Sequence, residues 1–168
     1  INLMKTNKMT IKSCFSLVEE AKQKIKSINF KNAMKLHNEG ETIFIDLRDV
    51  RELEKNGKIK NAKHVPRGML EFWIDPKSPY HRDFFNSKNK FIFYCASGWR
   101  SALSSKIALE MGLIDVLNLE NGIDDWIKQN IPERKHITFV SDGSAAQFKN
   151  KGSLQRKIGA HFLQAIRG

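Results

Sequence analysis

Cys95 and Arg100 are the residues whose types and spacing best support chemistry in this chain. Four residues separate them, and Ser97 and Gly98 are among those four. A cysteine thiolate is a strong nucleophile, and a nearby arginine offers an anionic substrate a fixed positive charge and a planar set of donors. The pair therefore predicts nucleophilic chemistry by Cys95 on a small anion.

The flanking elements favour this interpretation. Residues 91–94 form a short apolar and aromatic run typical of a buried strand. Cys95 follows the run and is expected to be the last residue of that strand. Beyond Arg100, apolar residues recur every four positions until Gly112, which predicts a helix. At such a junction, loop N–H groups and the helix dipole stabilise anions, including a thiolate. Spacing alone leaves open the alternative that the cysteine is buried for structural reasons.

The segment Cys95-Ala96-Ser97-Gly98-Trp99-Arg100-Ser101 resembles the active-site loop of single-domain rhodanese-like sulfurtransferases, which has the form C-x-S-G-x-R-S. Three other segments within residues 28–132 resemble motifs of that family and follow its order along the chain. They are Ile43-Phe44-Ile45-Asp46-Leu47-Arg48, the stretch from Gly57 to Gly68 with His64-Val65-Pro66-Arg67-Gly68, and Asn118-Leu119-Glu120-Asn121-Gly122 with Trp126. Four ordered motifs are more specific than any one alone, so the resemblance favours a catalytic Cys95.

The resemblance implies an α/β fold, a rhodanese-like three-layer domain in which helices flank a mainly parallel five-stranded sheet. It implies that Cys95 is catalytic and that neither a metal nor an organic cofactor is needed. The residues expected to bind substrate are Arg100, Ala96, Ser97, Gly98, Trp99, Ser101 and Arg67, with Asp46 and Arg48 in support. For Asp46, fixing backbone N–H groups or an arginine is favoured over acting as a catalytic acid. His64 is interpreted as structural.

The implied activity is that of a rhodanese-type (thiosulfate) sulfurtransferase. Cys95 would take a sulfane sulfur from a small anionic donor, thiosulfate or a persulfide, and hold it as a cysteine persulfide. The acceptor would be cyanide or a thiol, on a small molecule or on a protein. One alternative is a non-catalytic rhodanese-like module that binds a partner protein, although the intact Cys95 and Arg100 argue against it.

A second enzymatic alternative is a cysteine phosphatase of a related fold. Such phosphatases have one more residue between cysteine and arginine, which widens the loop around a phosphate. The four-residue spacing between Cys95 and Arg100 suits a sulfur atom on the thiol better than a tetrahedral anion. The loop length therefore argues against phosphatase activity.

Charge divides the chain into three predicted parts: a basic helical extension over residues 1–27, a catalytic domain over 28–132 and a basic tail over 133–168 with an amphipathic helix. Of the net charge of +11, residues 1–31 and 133–168 carry +5 each, and residues 32–132 carry +1. Basic flanks can attract nucleic acid or acidic partners, but a contribution to solubility explains them equally well. The terminal helices offer surfaces for a homodimer.

Composition favours a cytoplasmic protein with no membrane partner. The chain is 40% hydrophobic and 28% charged, as soluble globular proteins are. Its apolar runs are shorter than the roughly 18 residues of a membrane-spanning helix, and residues 1–23 lack the continuous apolar run expected of a secretory signal. Two cysteines, Cys14 and Cys95, do not make a disulfide framework.

Local patterns predict the remaining elements. Helices are expected over residues 13–26, 30–38, 50–56, 69–74, 80–87 and from Gly122 to just before Pro132. Strands are expected over residues 26–29, 43–45, 64–66, 115–119 and 137–140. Asn29 is expected to cap the second helix. The aromatic residues Phe72, Trp73, Phe84 and Phe85 are expected to lie mainly in the core.

Overall fold

A computed structural model describes residues 11–85 and 88–130, together with the backbone of residues 137–138. The basic tail beyond residue 138, with its predicted amphipathic helix, lies outside the described residues, as do residues 1–10. The three-part division of the chain therefore stays a prediction. No helix in the described part of the chain is long and apolar enough to cross a membrane.

The described chain forms an α/β domain around a five-stranded sheet in the order β1-β6-β5-β2-β4, in which every neighbouring pair of strands is parallel. Strands β3 and β7 form a second, two-stranded antiparallel sheet. The strands are β1 (Lys26–Ile28), β2 (Thr42–Asp46), β3 (Lys58–Ile59), β4 (Lys63–His64), β5 (Lys90–Tyr94), β6 (Asp115–Leu119) and β7 (Ile137–Thr138). The predicted fold class, with its mainly parallel sheet, is confirmed.

Helices cover the sheet. They are α1 (Cys14–Lys22), α2 (Phe30–Glu39), α3 (Val50–Asn56), α4 (Leu70–Ile74), which follows a 3-10 turn (Arg67–Met69), α5 (Trp99–Glu110) and α6 (Gly122–Asn130). Asn29 caps α2 as predicted, since its side-chain oxygen accepts a hydrogen bond from the backbone N–H of Asn32 at 3.0 Å.

Side chains of the central strand β5 point alternately to the two faces of the sheet and enter two separate hydrophobic cores. Phe91 and Phe93 pack on one face of the sheet with residues of α4 and α5. Ile92 and Tyr94 pack on the other face with residues of α2 and α6, including the fully buried Trp126. A strand buried on both faces has no polar side to expose, which explains its continuous apolar sequence.

Several local predictions differ from the structure. Residues 80–85 form turns instead of the predicted helix, because the backbone N–H of Arg82 bonds to the carbonyl of Trp73 and ties the segment to α4. Phe72 is 53% exposed, so its assignment to the core is wrong, whereas Phe85 is buried. Strand β5 ends at Tyr94, so Cys95 is the first residue beyond it.

The other differences concern element lengths. The first helix, predicted over residues 13–26, ends at Lys22, and the chain turns before it enters β1. The last strand, predicted over residues 137–140, is described at Ile137–Thr138, where it pairs with β3.

Candidate active site

Cys95 lies where β5 passes into α5, at the carboxyl edge of the sheet. Its side chain is buried, with 1% of the residue exposed. The backbone turns at Gly98, whose φ of 88° is in the left-handed region that favours glycine, and α5 begins at Trp99. Gly98 offers no side-chain cap, so the first amides of this 12-residue helix are left for another acceptor. An anion formed at this point is stabilised by those amides and the helix dipole.

The N-terminus of α6 fixes the other side of the loop. The backbone N–H of Ile123 donates to the carbonyl of Cys95 at 2.9 Å, and that of Asp124 donates to the carbonyl of Ala96 at 3.1 Å. This approach requires Gly122, where an added Cβ would lie 2.3 Å from the Cys95 carbonyl oxygen. Two loop carbonyls therefore bind α6 and are held there instead of facing the reacting sulfur.

Ser101 connects the sulfur atom to a buried polar network. Its Oγ lies 3.6 Å from Cys95 Sγ and 2.7 Å from Asn118 Oδ1. Asn118 Nδ2 in turn lies 3.4 Å from Ser27 Oγ. Because a hydroxyl has one proton, Ser101 donates either to Asn118 or to the sulfur. A thiol can donate to Ser101 while Ser101 donates to Asn118, and a thiolate or persulfide can instead draw the Ser101 proton to itself.

Arg100 is held by a carboxylate from a distant part of the chain. Its two terminal nitrogens each donate to Glu52 of α3 at 2.8 Å, a bidentate arrangement. The bond to Glu52 raises the pKa of Arg100, and the nearby Cys95 side chain adds to that rise. The same bond lowers the pKa of Glu52, so both partners are charged near neutral pH. The guanidinium thus stands near the sulfur, but as one half of an ion pair.

Asp46 and Arg48 form a second ion pair, and this one is fully buried. Asp46 accepts from Arg48 Nη2 at 2.7 Å, from its Nε at 3.0 Å and from its backbone N–H at 3.1 Å. Arg48 also donates to the carbonyl of Gly57 at 2.7 Å, and His64 Nε2 donates to the carbonyl of Arg48 at 2.8 Å. Burial and the Asp46 carboxylate raise the pKa of Tyr94, which keeps its phenol protonated. These contacts are those of a structural carboxylate and a structural histidine.

The remaining predicted binding residues occupy different surroundings. Arg67 pairs with Glu71 at 2.9 Å, and within the described residues no hydrogen bond or ion pair joins it to the Cys95 loop. Trp99 is 47% exposed at the crest of the loop, where its ring meets the edge of Phe15 at a centroid distance of 5.0 Å. Within the described residues, Ser101 and Arg100 therefore lie beside Cys95, whereas the hydrogen bonds of the Arg67 side chain go to Glu71.

Comparison with known proteins identifies the family. Residues 29–129 match the model of the rhodanese-like domain. The chain belongs to the rhodanese family. Over 115 residues it is 23% identical to the mouse thiosulfate sulfurtransferase/rhodanese-like domain-containing protein 3, an alignment that spans 66% of this chain and 73% of the mouse protein.

Two of the solved structures that are similar to this rhodanese-like chain bear on its function. One is a protein of unknown function and possible tyrosine phosphatase from Rhodopseudomonas palustris CGA009, with 42% identity and a TM-score of 0.70 over 73% of this chain and 95% of that one. The other is the polysulfide-sulfur transferase homodimer of Wolinella succinogenes, with 28% identity and a TM-score of 0.56 over 80% and 91% of the two chains. The family is thus of the sulfurtransferase type.

A cavity of about 300 Å³ adjoins the Cys95 loop of this rhodanese-like domain. It lies between the loop, α1 and the carboxyl ends of β1 and β6, and its lining is mainly polar. The lining residues are Lys22, Ser27, Ser97, Gly98, Trp99, Asn118, Glu120 and Asn121. Because Asn118 also bonds Ser101, the cavity shares one side chain with the network that reaches the sulfur.

The sequence interpretation did not assign three residues of this site. Glu52 stands 48 positions before Arg100, and only the folded chain brings them together. Asn118 appears in a family motif, but its strand position gives no sign that it bonds Ser101. Ser27 lies on β1, and its contact with Asn118 depends on the pairing of β1 with β6. The sequence signal that was available is the Asp49–Glu52 spacing, which predicts a capping box.

Proposed function

We propose that this chain is an active sulfurtransferase in which Cys95 carries a sulfane sulfur as a persulfide. The observation that supports the proposal most directly is the placement of a buried cysteine beside an uncapped helix N-terminus, the Ser101 hydroxyl and the Arg100 guanidinium. All three favour a negative charge on sulfur, which both the attacking thiolate and the persulfide carry.

The first half-reaction loads the cysteine. The Cys95 thiolate attacks the outer sulfur of thiosulfate or the terminal sulfur of a persulfide, and a new S–S bond forms. The S–S bond within the donor breaks, and its electron pair leaves with sulfite or with the donor thiolate. The negative charge then rests on the terminal sulfur of Cys95, within reach of the same donors. No net oxidation or reduction accompanies this transfer.

The second half-reaction removes the terminal sulfur from Cys95. A thiolate or cyanide attacks the terminal sulfur, and the Cys95 thiolate leaves with the electron pair of the broken S–S bond. We assign acceptor entry to the cavity beside the loop, since Trp99 and Ser97 border it and its polar lining suits a hydrophilic thiol. Trp99 is itself 47% exposed on this side of the loop.

Phosphatase activity and pure partner binding are the competing functions. The first is suggested by the possible tyrosine phosphatase that resembles this chain, but the loop here has four residues between Cys95 and Arg100. The second would need no charged donors around a buried sulfur. Hydrolysis of small aryl phosphates by the unaltered protein would favour the first. Partner capture that survives loss of Cys95, without any sulfur transfer, would favour the second.

The decisive test replaces each cysteine in turn. Cys95→Ser should abolish thiosulfate:cyanide transfer, because serine does not form the persulfide. Cys14→Ser is the matched control and should retain the activity, since Cys14 is exposed on α1. Mass spectrometry after donor treatment should locate one added sulfur on Cys95. Transfer by Cys95→Ser, or an added sulfur only on Cys14, would rule the proposal out.

A further inference from the structure

Arg100 does not present a bare positive charge to the substrate. A guanidinium has five N–H donors, and Arg100 uses two of them in its bidentate contact with Glu52. Three donors remain for other acceptors. The charge, however, is compensated at 2.8 Å by the carboxylate, so an incoming anion meets an ion pair of zero net charge.

Glu52 is held in place without help from Arg100. It is the third residue of α3 and closes the capping box of that helix: its Oε2 accepts from the backbone N–H of Asp49 at 3.0 Å. The bond to Arg100 lowers the pKa of Glu52 most, and burial opposes that shift. The backbone N–H of Asp49 and the charge of Arg48 lower the pKa further. The negative charge is therefore a fixed part of the surroundings of the Cys95 loop.

We propose that Glu52 determines the charge class of the sulfur donor by selecting against doubly charged anions. The inference rests on the proposed sulfurtransferase function and narrows its substrate class. The repulsion from Glu52 is twice as large for a dianion such as thiosulfate as for a monoanion, and it offsets the twofold larger attraction that Arg100 alone would give the dianion. The donor that fits is a persulfide monoanion, R–S–S⁻. It gives its terminal sulfur to the Cys95 thiolate and leaves as R–S⁻ with the electron pair of the broken S–S bond.

Neutralising Glu52 provides the test, and its neighbour Glu54 provides the control. Glu52→Gln keeps an oxygen that closes the capping box, and it removes the charge together with one of the two hydrogen bonds to Arg100. Glu54→Gln removes one charge from the exposed side of the same helix. Each variant is made in a Cys14→Ser background, so that iodoacetamide reports on Cys95 alone. Sulfate and methanesulfonate both carry an SO3 group but differ in charge. Each is tested at constant ionic strength for its ability to protect Cys95 from alkylation.

The half-protecting concentration of sulfate should fall roughly fivefold in Glu52→Gln, the effect of about 1 kcal/mol for a partly exposed charge. That of methanesulfonate should fall about twofold, because it carries half the charge. Glu54→Gln should change neither. Weaker sulfate protection in Glu52→Gln would overturn the proposal, since Glu52 would then act by positioning Arg100. Equal shifts for the two anions, or no protection by sulfate in either protein, would overturn it too.

This readout is independent of turnover. It measures anion occupancy beside Cys95 and needs no sulfur transfer, so the charge selection can fail while Cys95 still forms a persulfide. Where transfer is active, Glu52→Gln should also raise kcat/KM for thiosulfate relative to that for a persulfide donor. An unchanged ratio would contradict the proposal at the level of the reaction.

Discussion

The Ser101 hydroxyl proton is the smallest part of the site on which its chemistry depends. Ser101 Oγ lies 2.7 Å from Asn118 Oδ1 and 3.6 Å from Cys95 Sγ, and its one proton bonds only one of these atoms at a time. In the thiol state the shorter contact keeps the Ser101 O–H hydrogen-bonded to Asn118. A negative sulfur competes for it, because hydrogen bonds to charged groups are stronger than neutral ones. Rotation of one hydroxyl thus adapts the site to both states of the cysteine.

Ser101→Ala should therefore slow persulfide formation roughly tenfold, the effect of one lost hydrogen bond to a charged group at about 1.5 kcal/mol. Single-turnover sulfur uptake measured by mass spectrometry reports this rate. Ser105→Ala is the matched control, because Ser105 is buried on the same helix and its hydroxyl has no hydrogen-bond partner in the described residues. It should leave uptake unchanged. Equal effects of the two variants would mean that Ser101 acts only through packing.

At the scale of elements, the site is assembled by two helix N-termini that meet the same loop from different sides. Helix α5 continues the loop and leaves its first amides free of a side-chain cap. Helix α6 follows β6 in the chain, and the backbone N–H groups of its first turn bind the carbonyls of Cys95 and Ala96. The first supplies donors for the anion, and the second holds the loop carbonyls away. Gly122 is the point of contact that this division of roles depends on.

Gly122→Ala should destabilise the domain by roughly 3 kcal/mol or more, since it adds a backbone clash to the strain of a left-handed residue. Gly40→Ala separates the two costs. Gly40 has a φ of 78° against 58° at Gly122, but an added Cβ there meets nothing within 4 Å. It should lose only about 1–2 kcal/mol. Urea denaturation measures both values, and comparable losses would show that the approach of α6 to the loop is not constrained.

The elements themselves were largely predictable from sequence, whereas their contacts were not. The apolar run before Cys95 and the four-residue periodicity after it correctly predict β5 and α5. The helix expected over residues 80–87 is wrong for residues 80–85, because the hydrogen bond from Arg82 to Trp73 that replaces it crosses between elements. Glu52 was missed for the same reason. Its contact with Arg100 joins segments that no local pattern relates.

At the scale of the whole molecule, the parallel sheet places the polar groups of distant segments along one edge. The strands β1, β6, β5 and β2 all end on that edge, so Asn118, Cys95 and Asp46 come from three neighbouring strands or the residues just beyond them. The Asp46–Arg48 pair lies in the interior there and joins β2 to Gly57 and, through the Arg48 carbonyl, to His64. We therefore interpret it as a structural pair that holds the segments carrying the site.

This interpretation of the buried pair predicts a loss of stability without a loss of chemistry. Asp46→Asn leaves the Arg48 charge buried and uncompensated, which should cost about 3–5 kcal/mol in urea denaturation. Arg48→Met should cost a similar amount by leaving the carboxylate alone. The double variant should be more stable than the sum of the single losses predicts, because it removes both buried charges together.

The same variants decide between a structural and a catalytic Asp46. In the cold, where Asp46→Asn stays folded by circular dichroism, a structural role predicts sulfur uptake on Cys95 at close to the wild-type rate. A catalytic acid predicts the reverse: uptake falls by the 10²- to 10⁴-fold typical of general acid–base catalysis, while the urea midpoint hardly changes. Because Asp46 is fully buried and already bonds Arg48 through both carboxylate oxygens, we expect the first result.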